Sequence, residues 1–139
     1  MTTTTSAVRT GHRWAVFILR TVVVSLTLAT ALIHARLGGL LFALNAIGYL
    51  VLVAAMVLPG PVARVRWLVR LALMAFTAAT IGGWVLFGVR FPLAYVDKAV
   101  ELVLLVFLAF EVWLDGGPVE IVRRLRRIAA VTRNIRTGV

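Results

Sequence analysis

Four long apolar stretches, separated by short turns, dominate the chain. They cover residues 14–35, 40–58, 65–89 and 92–114. A helix needs about 20 mainly apolar residues to cross the hydrocarbon core of a bilayer, and each stretch is close to that length. Because the turns are short, consecutive helices are expected to lie antiparallel beside one another. The pattern predicts an all-α membrane protein, an up-down four-transmembrane-helix bundle over residues 14–114.

Polar segments flank the predicted bundle at both ends. Residues 1–13 are expected to form a polar cytoplasmic tail, and residues 115–139 a basic, amphipathic cytoplasmic helix. On a helical wheel the second segment gathers its apolar side chains on one side and most of its arginines on the other. Such a helix is typical of segments that lie in the membrane interface. The arginines expected to face lipid headgroups are Arg123, Arg124, Arg126, Arg127, Arg133 and Arg136.

Composition supports the membrane class. Of the 139 residues, 62% are hydrophobic and 14% charged, whereas soluble domains average about 45–50% apolar and about 25% charged residues. The chain has no cysteine, which excludes disulfides, thiolate metal sites and thiol catalysis. The net charge of +10 lies in arginine clusters beside the apolar stretches. Orientation and attraction to anionic lipids explain these clusters, so we expect no nucleic-acid partner.

The distribution of arginines predicts the orientation. One side of the predicted bundle carries only Arg36 and Arg90, and the other carries the remaining loop and tail arginines. Positive residues collect on the cytoplasmic side, so both termini and the middle loop are expected there, in a multi-pass protein of the plasma (inner) membrane. A cleavable secretory signal is the alternative for the first stretch, since residues 29–31 imitate a cleavage site. Arg20, in the middle of that stretch, argues against it.

Two stripes of small residues are candidate packing surfaces. Small side chains four residues apart allow the backbones of membrane helices to approach closely. The alternative is that such residues are simply common in membrane helices. The stripes are Thr21, Ser25 and Ala29 on the first helix, and Ala75, Ala79 and Gly83 on the third.

Polar side chains from several stretches fall at one depth, near the predicted outer face. His34 ends the first helix, Asn45 lies early in the second, and Asp97, Lys98 and Glu101 lie early in the fourth. A charge at the bilayer centre costs about 2.5–3.5 kcal/mol on insertion scales, so these groups need partners or water. They either satisfy one another as a packed network or form a site for a proton, an ion or a small ligand. Nothing in the spacing predicts a metal site.

A second polar layer is predicted closer to the cytoplasm. Arg20 and Arg70 fall at a depth similar to that of Glu111 on the fourth helix. Arginine stays charged and grips a carboxylate through two parallel hydrogen bonds. We expect a structural ion pair between Glu111 and Arg70 or Arg20. An arginine extended to the inner headgroups is the alternative.

Residues 33–50 and 93–105 resemble small four-span membrane proteins of prokaryotes for which we know no activity. The shared features are a His before a Gly turn, an Asn-x-x-Gly-Tyr run and a Tyr-x-Asp-Lys-x-x-Glu run. The resemblance covers roughly the four spans and implies no activity, cofactor or partner. It nominates His34, Asn45, Gly48, Tyr49, Tyr95, Asp97, Lys98 and Glu101.

Three functions follow from these features. The first is a small non-catalytic integral membrane protein, a helix-packing subunit or self-assembling component of a homo-oligomer or larger membrane complex. The alternative is a protein that binds or translocates a proton, an ion or a small ligand through the outer polar residues. An enzyme is disfavoured, because no catalytic arrangement, phosphate loop, metal spacing or cofactor motif is present. The expected partner is therefore the bilayer, including its anionic lipids.

Overall fold

A computed structural model describes the backbone of residues 4–137 and the side chains of residues 14–130, except those of residues 61, 118 and 128. The chain is 89% helical, with no strand in the described residues, so the predicted all-helical class is confirmed. Within residues 4–137, six helices follow one another. They are α1 (Thr4–Leu37), α2 (Leu40–Val57), α3 (Pro61–Arg64), α4 (Arg66–Phe87), α5 (Pro92–Leu114) and α6 (Gly117–Thr137).

The first helix is longer than the apolar pattern predicts. α1 begins at Thr4, ten residues before the predicted start at residue 14, where a polar tail was expected. No proline interrupts residues 4–13, so the hydrogen-bond ladder of the apolar stretch continues into the polar segment. Its 34 residues span about 51 Å at 1.5 Å per residue, more than the hydrocarbon core of about 30 Å.

Glycines form the turn that reverses the chain between α1 and α2. Gly38 and Gly39 have φ angles of 74° and 84°, a region that only glycine enters at little cost. Two residues are therefore enough to connect two antiparallel helices.

The four long helices α1, α2, α4 and α5 form a bundle in which each helix has two neighbours. α1 packs against α2 and α5, and α4 packs against the same two helices from the opposite corner. α1 runs antiparallel to α5, because His34 near the end of α1 contacts Asp97 near the start of α5, and Arg20 contacts Glu111 near its end. The centre is filled by Val23, Tyr49, Leu73, Leu104 and Leu108, all fully buried.

Among the residues that the structure describes, three helices are long and apolar enough to cross a membrane: Trp14–Leu37 within α1, Leu40–Val57 and Arg66–Phe87. α5 has a similar length, 23 residues, but it differs in carrying four charged residues. All four are buried inside the bundle. They are Asp97, Lys98, Glu101 and Glu111.

The two small-residue stripes do not pack inside the bundle as predicted. Thr21, Ser25 and Ala29 of α1 are exposed on its outside, as are Ala75, Ala79 and Gly83 of α4. The buried positions of these helices instead carry residues such as Thr27 and His34 in α1 and Arg70 in α4. Leaving a charged or strongly polar group in lipid costs more than leaving a small apolar one, so polar groups set the rotation of each helix.

Candidate functional site

Six polar side chains from all four long helices meet near one end of the bundle, where α1 ends and α5 begins. We call this group the polar cluster. It consists of His34 from α1, Tyr49 from α2, Thr80 from α4, and Asp97, Lys98 and Glu101 from α5. All except the partly buried Thr80 are buried.

Lys98 joins the two carboxylates of the cluster. Its Nζ lies 2.9 Å from Oδ2 of Asp97 and 2.7 Å from Oε2 of Glu101. Asp97 and Glu101 are four residues apart in a helix, and Lys98 precedes Glu101 by three, so α5 turns all three toward the same interior. The ammonium donates to both acids and compensates one of their two negative charges.

The second oxygen of Glu101 is held by two hydroxyl groups. Oε1 accepts a hydrogen bond of 2.8 Å from the Tyr49 hydroxyl and one of 2.9 Å from the Thr80 hydroxyl. The Thr80 hydroxyl also lies 2.8 Å from the carbonyl oxygen of Thr77, and its single proton serves only one of these acceptors at a time. Glu101 is therefore fixed by contacts from three helices.

The imidazole of His34 lies between the two carboxylates. Its Nδ1 is 3.0 Å from the carbonyl oxygen of Thr30, which only accepts, so Nδ1 carries a proton. The same Nδ1 is 3.3 Å from Oδ1 of Asp97, whereas Nε2 is 3.8 Å from Oε1 of Glu101. Each ring nitrogen thus faces a different acid, and Nε2 is the atom at which His34 gains or loses a proton.

Oδ1 of Asp97 is buried and has no hydrogen-bond partner within the described residues. The nearest donor, Nδ1 of His34, already binds the Thr30 carbonyl. A buried acceptor without a partner costs about 1–3 kcal/mol, and more when it is charged. Oδ1 is therefore an unfilled acceptor inside the bundle.

A cavity of about 500 Å³ adjoins the cluster between α2, α4 and α5. Its inner wall includes the buried His34, Asp97 and Lys98, and its rim includes exposed residues such as Leu41 and Phe87. The space exists partly because α4 presents small residues to it, including Ala79 and Gly83. Besides Phe87, four more Phe or Trp side chains line it: Phe42, Phe76, Trp84 and Phe91. Binding sites for small molecules have this size and this mixture of apolar walls and few polar groups.

His34, Asp97 and Glu101 place one ligand atom each within 4.8 Å of one another, a spacing that a metal site also has. Their directions do not fit a metal. Asp97 approaches Nδ1 and Glu101 approaches Nε2 of the same ring, so the two acids lie on different sides of the imidazole. Lys98 already supplies a positive charge to both acids. The arrangement suits a proton or an organic cation better than a metal ion.

The residues predicted for this site divide into two groups. His34, Tyr49, Asp97, Lys98 and Glu101 come together, and Asn45 lines the cavity. Tyr95 does not join them: it is 51% exposed, and its ring packs edge-on against Trp84 with centroids 5.2 Å apart. It precedes Asp97 by two residues, about 200° around a helix, so it points away from the cluster.

Sequence reasoning missed Thr80 and the aromatic wall of the cavity. Thr77 and Thr80 lie three residues apart in an otherwise apolar helix, and this spacing is the signal that places two hydroxyl groups on one face. Trp84 lies near the end of its span, where tryptophan is common at the membrane interface, so its position in the sequence does not indicate a cavity.

The second polar layer forms at the opposite end of the bundle. Oε1 of Glu111 lies 3.2 Å from Nε of Arg20 and 3.2 Å from a guanidinium nitrogen of Arg70. Arg70 also pairs with Asp115, just after the end of α5. Both arginines thus pair with Glu111, whereas the sequence predicts a pair with one or the other.

Between the two polar layers, the described interior holds no charged side chain. Glu101 and Glu111 are ten residues apart on α5, which corresponds to about 15 Å along the helix. Buried leucines fill the space between them: Leu73, Leu104 and Leu108.

The arginines of α6 lie near one acidic residue. Glu120 contacts Arg123 at 3.0 Å and Arg124 at 3.1 Å. These contacts, the hydrogen bond from Arg124 first, hold the pKa of Glu120 below its ordinary value. Arg126 and Arg127 are exposed, and the side chains of Arg133 and Arg136 lie outside the described residues.

Comparisons with protein-family models, with curated proteins and with solved structures found no match for this chain, so its function is inferred from the residues themselves.

Proposed function

We propose that the chain is a small, non-catalytic integral membrane protein that binds a small, largely apolar ligand in the cavity beside the polar cluster. The observation that carries this proposal is the unpartnered Oδ1 of Asp97, buried in the inner wall of that cavity. A ligand that donates a hydrogen bond to Oδ1 and fills the aromatic space would satisfy the acceptor. The charge-free layer between the two polar layers favours binding at one end over translocation through the bundle.

The proposal requires that α5 crosses the membrane together with α1, α2 and α4. Its four charged residues are buried against the other helices, which leaves apolar residues such as Leu102, Val106 and Phe110 on its exposed face. A helix with its charged residues on one side and apolar residues on the other can contact polar partners along the first side and lipid along the second.

The orientation that we propose places both termini in the cytoplasm and the polar cluster toward the outside. The support is the arginine distribution: among the described residues, the only arginines at the cluster's end of the bundle are Arg36, in the last turn of α1, and Arg90, in the loop before α5. Because the chain lacks cysteine, single-cysteine variants label without background. With a membrane-impermeant maleimide on intact cells, Arg90→Cys should be labelled, and Arg64→Cys only after permeabilisation. The reverse pattern contradicts the orientation.

We propose that α6 lies along the inner membrane surface. Its apolar residues Val119, Val122 and Leu125 are exposed rather than packed against the bundle, and Arg126 and Arg127 are exposed as well. Each basic residue near an anionic surface adds about 1 kcal/mol of attraction. A spin label at Leu125 should therefore be shielded from water in anionic nanodiscs, and more exposed after Arg126→Gln and Arg127→Gln. Equal exposure in both proteins contradicts this placement.

Ligand binding is tested with fluorescence from Trp84, which lines the cavity. Replacing Trp14, Trp67 and Trp113 by phenylalanine leaves Trp84 as the sole tryptophan. Three dansyl probes with the same alkyl arm, ending in a primary amine, a hydroxyl or a carboxylate, are titrated into this protein in nanodiscs. Saturable energy transfer from Trp84 with at least one probe supports the proposal.

Asp97→Asn is the test variant, and Asp115→Asn is its matched control, because it makes the same chemical change at the far end of α5. We expect Asp97→Asn to weaken binding and Asp115→Asn to leave it unchanged. Equal affinity in all three proteins, or no saturable transfer with any probe, contradicts the proposal.

Self-assembly is a second candidate function, which the two exposed small-residue stripes favour. Thr21, Ser25 and Ala29 are exposed on α1; on α4 Ala75, Ala79 and Gly83 are exposed, the last two at the cavity. Such surfaces allow a second copy to approach closely in lipid. Cross-linking in native membranes should then yield dimers that Ser25→Leu abolishes. Monomers alone in the unsubstituted protein contradict this candidate.

A further inference from the structure

We propose that the polar cluster exchanges a proton for an organic cation: it holds either a proton on Nε2 of His34 or the ammonium group of an amphiphilic amine at Asp97. This inference rests on the proposed ligand-binding function and names the chemical class of the ligand. It follows from the charge of the cluster, the tautomer of His34 and the walls of the cavity.

The cluster lacks one positive charge when His34 is neutral. Asp97 and Glu101 contribute two negative charges, and Lys98, held between them, contributes one positive charge, so the sum is −2 + 1 = −1. Buried charge is costly unless it is paired. At this end of the bundle, Arg36 in the last turn of α1 and Arg90 in the loop before α5 are both exposed, so solvent screens them. One added positive charge therefore neutralises the cluster.

A proton on His34 is one way to supply that charge. Nδ1 already carries its proton because it donates to the Thr30 carbonyl, so the added proton goes to Nε2, 3.8 Å from Glu101. The titratable or charged groups that face His34 are Tyr49 from α2, and Asp97, Lys98 and Glu101 from α5. Protonation turns the imidazole into a cation between the two acids and brings the cluster to zero net charge.

An amine bound in the cavity is the other way to supply the missing positive charge. Oδ1 of Asp97 has no hydrogen-bond partner in the described structure, and Asp97 lines the cavity, so an ammonium there would gain a charged hydrogen bond. The aromatic rings of Phe42, Phe76 and Trp84 line the same cavity. Aromatic faces attract cations and also cover the apolar part of an amphiphile. The inner wall of the cavity thus suits the charged ammonium group of the ligand, and the aromatic walls suit its apolar part.

The two cations compete because either one alone brings the cluster to zero net charge, and both together would leave it at −1 + 2 = +1. Nδ1 of His34 is 3.3 Å from Oδ1 of Asp97, so an imidazolium and a bound ammonium would lie side by side around one acid. Binding of the amine then expels the proton from Nε2, and one proton is released for each amine bound. At pH values below the one at which His34 titrates, the affinity for the amine should fall about tenfold for each unit by which the pH decreases.

The test uses the dansyl amine and its matched alcohol with the Trp84 protein in nanodiscs, between about pH 5 and pH 8. We expect the amine affinity to rise with pH and the alcohol affinity to lack this rise. We also expect His34→Gln to flatten the pH dependence of the amine. In weakly buffered solution, an indicator dye should record about one proton released per amine bound by the unsubstituted protein. This last measurement requires no variant, so the inference stays testable if His34→Gln does not fold.

Several outcomes overturn the inference. They are the same pH dependence for amine and alcohol, a slope that persists in a folded His34→Gln protein, no proton release from the unsubstituted protein, and tighter binding of the carboxylate than of the amine. If the alcohol binds and the amine does not, the exchange is refuted and ligand binding stands. If no probe binds, the proposed function itself fails.

Discussion

Gly48 on α2 lies directly against the ring of Phe76 on α4. A Cβ atom at residue 48 would be 2.5 Å from Cζ of that ring, which is closer than two non-bonded carbon atoms approach one another. Phe76 also lines the cavity beside the polar cluster. The absence of a side chain at residue 48 therefore sets the position of one cavity wall.

We expect Gly48→Ala to displace the Phe76 ring and to reduce ligand binding. A methyl group added to a tight interface forces such shifts at a cost of about 1–3 kcal/mol. Energy transfer from Trp84 to the dansyl probes should show an affinity lower by about tenfold, which corresponds to about 1.4 kcal/mol. Gly82→Ala is the control, because a Cβ there meets nothing within 4 Å. Unchanged affinity in Gly48→Ala would show that Phe76 does not shape the site.

Glu111→Gln should destabilise the bundle. The change leaves the buried Arg70 with only Asp115, and removing one member of a buried ion pair costs about 3–5 kcal/mol. We expect the lower end of this range, because Asp115 remains. Arg20→Gln is the comparison: its side chain is 39% exposed, and Glu111 keeps its contact with Arg70 in that variant, so we expect a smaller loss of stability. Thermal unfolding in detergent measures both, and equal losses would argue against a central role for Arg70.

Tyr49→Phe should also be destabilising, by about 1.5–3 kcal/mol, because it removes a hydrogen bond to a charged and buried carboxylate. The Tyr49 hydroxyl donates to Oε1 of Glu101 at 2.8 Å. Tyr95→Phe makes the same change at a half-exposed position of α5 that has no contact with the cluster. The stability of Tyr95→Phe should stay within about 0.5 kcal/mol of the unsubstituted protein. Equal unfolding temperatures for the two variants would contradict the role of Tyr49.

The Glu120 carboxyl on α6 should titrate at a lower pH than an ordinary glutamate, because Arg124 and Arg123 favour its charged form. Its pKa is lowered in the folded chain, so any stabilisation it gives is present above the ordinary pKa and is lost as the pH falls through the lowered one. Carbon NMR of the side chain should show the pKa returning upward in Arg124→Gln. An unchanged pKa in that variant would show that Arg124 is not the main cause.

Much of the fold can be predicted from the sequence, because a chain that crosses lipid can adopt only a few kinds of structure. α5 runs from Pro92 to Leu114, the same residues as the fourth apolar stretch. Its proline at the first helical position and the glycines after its end mark both limits. The start of α1 is not readable in this way, because no residue in the segment 4–13 stops a helix and polarity alone does not end one.

The polar cluster is readable only in part. Depth along each span placed His34, Asp97 and Glu101 at one level, because every buried charge needs a partner at its own depth. Rotation about each helix axis is harder to read, since it depends on the contacts of all four helices together. That is why the sequence does not show that Thr80 joins the cluster, or that Tyr95, which the resemblance nominates, points away from it.

The leucine-filled layer between Glu101 and Glu111 has a consequence for the cell. If the bundle spans the membrane, most of the transmembrane voltage drops across this layer of hydrocarbon-like side chains, which is about 15 Å thick, as it would across lipid. The polar cluster at one end of the bundle and the ion pairs of Glu111 at the other end are thereby electrically insulated from each other. The protein could accumulate in an energised membrane without short-circuiting its ion gradients.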